Sequence, residues 1–585
     1  MKKSIIAGML VLVSGCFVAC DDVFEPVVEN NLPIDFLEQN SSYAENLLGV
    51  AYTYLANSTG YAMNEPATDD AVSNDAGNSW RQIAEGRWTS SNNPANRWEN
   101  CRSGIQYCNL FLANVERVTW AKDEEANKLF HDRFIGEAYG LRAFHMFLLL
   151  QAHAGKDNAG ELLGIPLVTE PEGEGSDFNL PRNTLKECLA AMNSDIEMAL
   201  KYLPEEYGSS YFENLRDRYP GVSAGNLERV FGEKFKGRMC GRILEGVKAR
   251  ASLMAASPAF EGSGVTWEQA AEDNAKVLSH VGGVEGLDPT GAAWYSDSAI
   301  ENYASGQCPP EVMWRSELVN NNDLEKEHFP PTLYGSGRMN PTQNLVDAFP
   351  MANGYPISDS NSGYNESDPY AGRDPRLSLY ILCNGMKAGH ENTVIYTAAD
   401  GTTNDGLGKI STSTRTGYYM KKLLNQNVSC NSASQVNRKH YTARMRYTEF
   451  FLNYAEAANE AWGPMGTGTS GYSAYDVIKE IRHRAGVGLE NDDAYLESIK
   501  GDKDAMRALI RNERRLELCF EGFRFFDLRR WKSELNETAK GVSIENGVFN
   551  VINVESRNFR DYMIYCPIPN SEVLKYSNLK QNAGW

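Results

Sequence analysis

The sequence predicts a mainly α fold, a scaffold of tetratricopeptide-like helical hairpins carrying a loop-rich insert with a few short strands. Three observations carry this. The first is Arg446 to Trp462, where Tyr447, Phe450, Phe451, Tyr454, Ala455, Ala458 and Trp462 fall on one face at three-and-four spacing. Such a face must pack on another helix. The second is Gly136 to Leu150, which is apolar nearly all round in its second half and so predicts a helix buried between neighbours. The third is a change of texture between roughly residues 262 and 437, where Gly, Pro, Asn and Ser interrupt short apolar runs.

Further helices are predicted to begin near Ser42, Arg97, Leu185, Gly237, Trp267, Tyr472 and Asp504. Small residues such as Ala143, Ala249, Ala255 and Ala458 at contact positions point to paired hairpins, although the repeats are degenerate. Glu311 to Trp314 and Asn392 to Tyr396 read as brief strands. The helical scaffold is expected over roughly 40–260 and 438–535, with the insert over roughly 262–437, all within one domain running from 20 to 585. So much loop on a rigid frame is where binding residues collect, and the insert is expected to be the working part.

With 585 residues and 42% apolar content, the chain can bury a large core. Its formal charge of −20 has no basic block to offset it, which argues against a nucleic-acid partner. Lys2 and Lys3 precede a short apolar run, Ile5 to Val13, too short to span a bilayer, so residues 1–19 read as a secretory signal peptide. The segment ends in Phe17-Val18-Ala19-Cys20, which resembles a bacterial lipobox with Cys20 as the lipidated residue; Val13-Ser14-Gly15-Cys16 fits nearly as well. Asp21 and Asp22 after Cys20 resemble an acidic surface-export signal and favour Cys20. Acyl chains on that cysteine, each CH₂ adding roughly 0.8 kcal/mol on burial, would give a stable outer-membrane anchor at the cell surface.

Nine cysteines follow the signal, widely spaced and without a CxxC pair, so neither zinc nor a disulfide framework is predicted. Cys101 and Cys108 lie two turns apart on a predicted helix, roughly 10 Å, too far for a bridge. They read as buried thiols. His145, inside an apolar helix with no second histidine at metal spacing, reads as a hydrogen-bonded core residue.

Several segments together resemble the SusD/RagB family. Residues 510–531, IRNERRLELCFEGFRFFDLRRW, are similar to its C-terminal signature. GEAYGLRAFHMFLLLQAHAG with Gly164-Ile165-Pro166-Leu167, GRILEGVKARASLMAASPAF at 241–260, NPTQNLVDAFPMANGYPI at 340–357 and GRDPRL at 372–377 match other family blocks. RMRYTEFFLNYAEAANEA at 444–461 and the closing PIPNSEVLKYSNLKQNAGW at 567–585 complete the set, in family order over essentially the whole mature chain. The resemblance implies four tetratricopeptide units and a ligand face built from loops. It also implies a SusC-type partner, a TonB-dependent outer-membrane transporter that the lipoprotein covers as a lid. The function it implies is capture of oligosaccharides at the cell surface and delivery to that transporter, without catalysis and without a cofactor or metal. A peptide or another nutrient is the alternative ligand, and a glycoside hydrolase the alternative activity.

The catalytic alternative rests on Glu517 and Glu521, one helical turn apart, since glycoside hydrolysis needs two carboxylates. Arg514, Arg515, Arg524, Arg529 and Arg530 crowd them, together with Glu513 and Asp527. Charge-assisted pairing is expected to lower their pKa where a general acid needs it raised. Gly221-Val222-Ser223-Ala224-Gly225 has the letters of a nucleophile elbow but follows Asp217-Arg218-Tyr219-Pro220 and not an apolar strand. Asp69, Asp70, Asn74 and Asp75 offer oxygens to a cation without EF-hand spacing, and read as a solvated or ligand-facing loop.

A sugar ring needs flat aromatic platforms for its C–H face and a few polar groups for its hydroxyls. The first loop offers Trp80, Arg81 and Trp88 beside Asp69 and Asp70, and the insert offers the pair Trp294 and Tyr295. Tyr334, Arg373 and Tyr396 come from neighbouring loops, and Cys308 is expected to edge the same face. Trp98 and Trp314 lie in a helix and an alternating strand and read as core, whereas Trp80 and Trp294, with polar glycine-rich neighbours, read equally as loop packing or platform.

Overall fold

The computed structural model describes Phe36, Glu38 and residues 40–585 apart from 60–62, 292 and 297. The expected signal peptide, residues 1–19, and the lipidation candidates Cys16 and Cys20 lie outside the described residues.

The stack begins with α1 (Ser41–Ser58) and α2 (Trp98–Asn114), followed by α3 (Glu124–His153) and α4 (Leu185–Leu200). It continues through α5 (Gly241–Ala256) and α6 (Trp267–Ser279), then α7 (Tyr447–Trp462), α8 (Ala474–Arg484), α9 (Lys503–Glu517) and α10 (Arg524–Arg530). Each of α1 to α6 packs on the next one in chain order, and α6 packs on α7, which also touches α8 and α9. Helix α6 therefore belongs to the stack although it follows residue 262, and a long excursion of the chain separates it from its neighbour α7.

Local chemistry sets the ends of these helices. Asp123 caps α3 by accepting from the Ala126 N–H at 2.8 Å, and Thr184 with Glu187 forms a capping box on α4. Helix α3 is buried along most of its second half, because neighbours cover it on several sides, as its all-round apolar sequence requires. Close approach is made possible by glycine. A Cβ added to Gly104 of α2 would lie 2.2 Å from His145 Nε2, inside the van der Waals limit. That nitrogen, 3.1 Å from the Ala51 carbonyl, donates to it, and burial lowers the His145 pKa to about 4, so the ring stays neutral. His145 is thus a core linker of three helices.

Between α6 and α7 lie mostly loops with short strand pairs. β1 (Ala71–Ser73) pairs antiparallel with β3 (Met339–Pro341), and β2 (Val312–Arg315) with β4 (Ala443–Arg446). The first of these joins the early loop to the later segment. A C-terminal hairpin of β5 (Ala539–Glu545) and β6 (Val548–Glu555) completes the set used below. This segment has its own apolar cluster around Trp294, Phe329, Leu345, Phe349, Tyr380 and Phe520, distinct from the main helical core.

All nine cysteines of the described residues are free thiols, and only Cys308 is not fully buried. Trp98 and Trp314 are core residues; the Trp314 indole N–H donates to the Gly237 carbonyl at 2.9 Å. Among the described residues no helix is long and apolar enough to cross a membrane.

Candidate functional site

The acidic and basic side chains of the 510–531 segment do not form an open cleft. Glu517 sits between Arg376, at 3.0 Å, and Arg484, at 3.1 Å. Glu521 pairs with Lys422 at 2.7 Å and Arg446 at 2.8 Å. Glu513 takes Arg376 and Arg482, both at 2.8 Å. Burial works against ionising Glu517, but Arg484, Arg376, Arg446 and Lys422 outweigh it and bring its pKa down to about 2. A carboxyl held ionised this firmly cannot serve as a general acid near neutral pH. Pairing within the segment itself is only partial. The partners of all three glutamates come from outside it, while Arg514 and Arg530 share Asp527.

Arg515 and Arg524 of that segment correct the expectation for Asp69 and Asp70. Asp69 is bound by Arg524 at 2.7 Å and Arg515 at 3.0 Å, and Asp70 by Arg515 at 2.6 Å. Burial opposes ionisation of Asp69, yet the two guanidiniums hold it well below the usual carboxylate range; Asp70, more deeply buried, is pushed up instead. These aspartates clamp the first loop onto α9 and the start of α10 and are not free for a ligand. No group of His, Cys, Asp and Glu suited to a metal ion occurs among the described residues.

Trp88 and Trp294 are also corrected. Trp88 is 3% exposed, with its ring 4.8 Å from Trp585, 5.7 Å from Phe525 and 6.0 Å from Phe559. Trp294 is likewise 3% exposed and packs on Tyr295 and Tyr441. Neither offers a face to a sugar. Arg373 is spent on the backbone, donating to the carbonyls of Pro369, Val346 and Phe349 at 2.6–2.8 Å. Arg81 is held by Glu85 at 2.8 Å and by the Ser73 carbonyl at 3.2 Å. Trp80 is half-buried and stands edge-on to Phe525 at 5.1 Å, which leaves part of its ring accessible. Tyr295 and Cys308 are half-buried, and burial pushes the Cys308 thiol up to about 11, which keeps little of it as the thiolate at neutral pH.

Two expected residues remain open to solvent. Tyr334 is 62% and Tyr396 49% exposed. Their chain neighbours Leu333 and Ile395 meet in one small apolar cluster. Leu333 packs on the small cluster of Leu382, Ala388, Ile395 and Tyr419, and Thr332 N–H donates to Asp405 at 2.8 Å. The loop carrying Asp405 returns to Tyr396, whose carbonyl accepts from the Thr403 hydroxyl at 3.2 Å. Tyr334 adopts φ 62°, a left-handed conformation that a bulky residue holds only at a cost of about 1–2 kcal/mol.

Ser223 is a helix cap. Its hydroxyl accepts from Asn226 N–H at 3.2 Å, as the caps of surface helices do, so the nucleophile-elbow letters carry no chemistry.

Comparison with known proteins places this architecture. The family model described as "SusD family" matches residues 311–585, and a second, described as "Starch-binding associating with outer membrane", matches residues 29–215. The chain belongs to the SusD/RagB family. Its fold is that of other SusD-like proteins. A SusD-like protein from Bacteroides fragilis NCTC 9343 superposes with a TM-score of 0.71 at 22% identity, over 95% of this chain and 100% of that one. A SusD-like carbohydrate binding protein from the same organism gives 0.66 at 22% identity, over 93% and 100%. SusD-like protein P2 of Formosa agariphila is 33% identical over 142 residues, a stretch that is 24% of each chain. This SusD/RagB member thus spans with that curated relative only about a quarter of the relative's length.

Proposed function

We propose that this SusD/RagB protein is a lipid-anchored outer-membrane receptor that captures oligosaccharides at the cell surface and delivers them to a SusC-type TonB-dependent transporter, without catalysis. The single observation that carries the binding role is the tyrosine corner, the exposed rings of Tyr334 and Tyr396, each next in sequence to a residue of one small cluster of the loop-rich segment. Flat rings held on a packed base offer a sugar's C–H face a platform at low entropic cost. The strained backbone at Tyr334 supports the same reading, since such strain collects where a side chain must be presented. One structural relative is named as carbohydrate-binding, and a matching family model as starch-binding at the outer membrane. Lipidation of Cys20 and the transporter partner belong to this proposal.

Titration calorimetry against a panel of neutral oligosaccharides tests it. The double variant Tyr334→Ala/Tyr396→Ala is expected to bind at least tenfold more weakly, about 1.4 kcal/mol. Unchanged affinity in that variant removes the corner as the site. The burial of Trp88 and Trp294 leaves fewer rings for sugar stacking and favours a second reading, capture of a peptide or other nutrient. Binding of peptides but of no oligosaccharide would select it.

A further inference from the structure

A second concavity lies away from the tyrosine corner, between the helical stack and the end of α10. It encloses about 140 Å³, similar to a cavity that admits a benzene ring, so it has room for one six-membered ring. Phe260, Phe523, Phe526 and Tyr565 supply apolar walls. Charge is the distinctive feature. Six arginines line the space against three carboxylates, Glu449, Glu521 and Asp527. Arg250 is matched by Glu449 at 2.5 Å, and Arg514 and Arg530 by Asp527. Glu521 is committed to Arg446 and Lys422.

Three guanidiniums form no salt bridge among the described residues, although the Glu317 carboxylate is near enough to favour the charge of one of them, Arg444. Arg97 reaches only the Gln151 amide oxygen, at 2.9 Å, and lies over the Phe526 ring. Arg444 lies over Trp314, and its buried Nε has no hydrogen-bond partner. Arg529 is 3% exposed, lies over the rings of Phe525 at 3.5 Å and of Trp88 and Phe559 at 5.0 Å, and donates only to the carbonyls of Phe525 and Met563; its buried Nη2 has no hydrogen-bond partner. Burial pushes Arg444 down to about 10 against the opposing pull of the Glu317 carboxylate, pushes Arg529 down to about 9, and lowers Arg97. In a chain of net charge −20, three cations outside any salt bridge around one cavity with apolar walls form a local excess of positive charge. An unpaired buried cation costs several kcal/mol, and an oxyanion would recover that cost through short charge-assisted hydrogen bonds. Arg97, Arg444, Phe523 and Phe526 are only half-buried, so the cavity is reachable from solvent.

We propose that this cavity is a built site for a single ring bearing an oxyanion, a carboxylate or sulfate group on a sugar, with Arg529 as the buried anchor and Arg97 and Arg444 at the rim. It deepens the glycan-capture reading by naming an acidic glycan, and rests on that reading for the source of the anion but not for the site. Titration calorimetry of the full chain at constant ionic strength would use sodium sulfate, glucuronate and glucose as probes. Sulfate and glucuronate are expected to bind and glucose not, and Arg529→Met to weaken both anions at least tenfold. Selenate soaked into crystals of the unaltered protein is expected to give anomalous density beside Arg529, a readout that does not depend on the variant folding. Absence of anion binding, anion binding that survives in Arg529→Met, or selenate density only elsewhere overturns the proposal. So does binding of sulfate without glucuronate, which would leave no sugar in the site. None of these outcomes touches the tyrosine corner, whose neutral oligosaccharide panel and double variant fail or succeed separately.

Discussion

Replacing Glu517 by Gln tests whether the acidic signature is a structural network. The carboxylate is 1% exposed, and its two oxygens accept from Arg376 and Arg484. Its pKa falls from 4.5 to about 2 on folding, a difference of about 2.5 units, worth about 3 kcal/mol at 1.36 kcal/mol per unit. The sign is that of a depressed acid: the stabilisation is fully present above pH 4.5 and is lost as pH falls toward about 2. Removing one partner of a buried pair typically costs about 3–5 kcal/mol, because the remaining charge is left unmatched. The two figures overlap. Urea unfolding at pH 7 is therefore expected to show Glu517→Gln less stable by about 3 kcal/mol, with the gap to the unaltered protein narrowing at pH 4 and again at pH 3. Glu233→Gln, which removes an exposed partner of Lys236, serves as a control with no measurable effect. Equal stability of Glu517→Gln and the unaltered chain at pH 7, or a gap that does not change with pH, would refute the reasoning.

Other consequences are open to direct measurement. Glu65 is buried and its pKa is raised to about 7, so its ionisation opposes folding as pH climbs from about 4.5 through 7; Glu65→Gln should gain in urea midpoint relative to the unaltered chain over that range and not below it. Gly104→Ala places a methyl against the His145 ring and should destabilise the helical stack by about 1–3 kcal/mol in thermal or urea unfolding. Thiol titration of a chain starting at Asp21 should find at most Cys308 reactive in the folded state, and all nine cysteines after unfolding. Ser223→Ala should lose about 1 kcal/mol of cap stabilisation and leave ligand binding intact, as measured by urea unfolding beside calorimetry.

The helices could be read from periodicity because each has a single apolar face or none exposed. Predicted starts near Ser42, Arg97, Leu185, Trp267, Tyr472 and Asp504 lie within two residues of the observed Ser41, Trp98, Leu185, Trp267, Ala474 and Lys503, and the start expected near Gly237 falls at Gly241. The short helices Phe212–Arg218 and Ala224–Phe231 carry too few turns to display a period. The site was harder to read for a different reason. Trp88 has polar, glycine-rich sequence neighbours, and what buries it are Phe525, Phe559 and Trp585, all more than four hundred positions away. Nothing local encodes that closure. Asp69 and Asp70 look like a solvated acidic loop until Arg515 and Arg524 are brought beside them. The arginine-lined cavity is not legible in the sequence because Arg97, Arg444 and Arg529 come from three separate segments, and whether a charge finds a salt-bridge partner is a property of spatial neighbours. Even the signature's own glutamates found their partners in Arg376, Arg446, Arg482 and Arg484.

The clamp between Asp69 and Arg524 joins positions 455 residues apart. A chain emerging from its N-terminus must therefore carry the early loop's carboxylates in water until nearly the last stretch has appeared. Loss of the final seventy or so residues would strand Asp69 and Asp70 without their counter-charges and strip the aromatic cover from Trp88, leaving the loop unable to settle. Such an arrangement makes completeness a condition of folding: a truncated product stays open to proteolysis, and only a finished chain can lock its first loop.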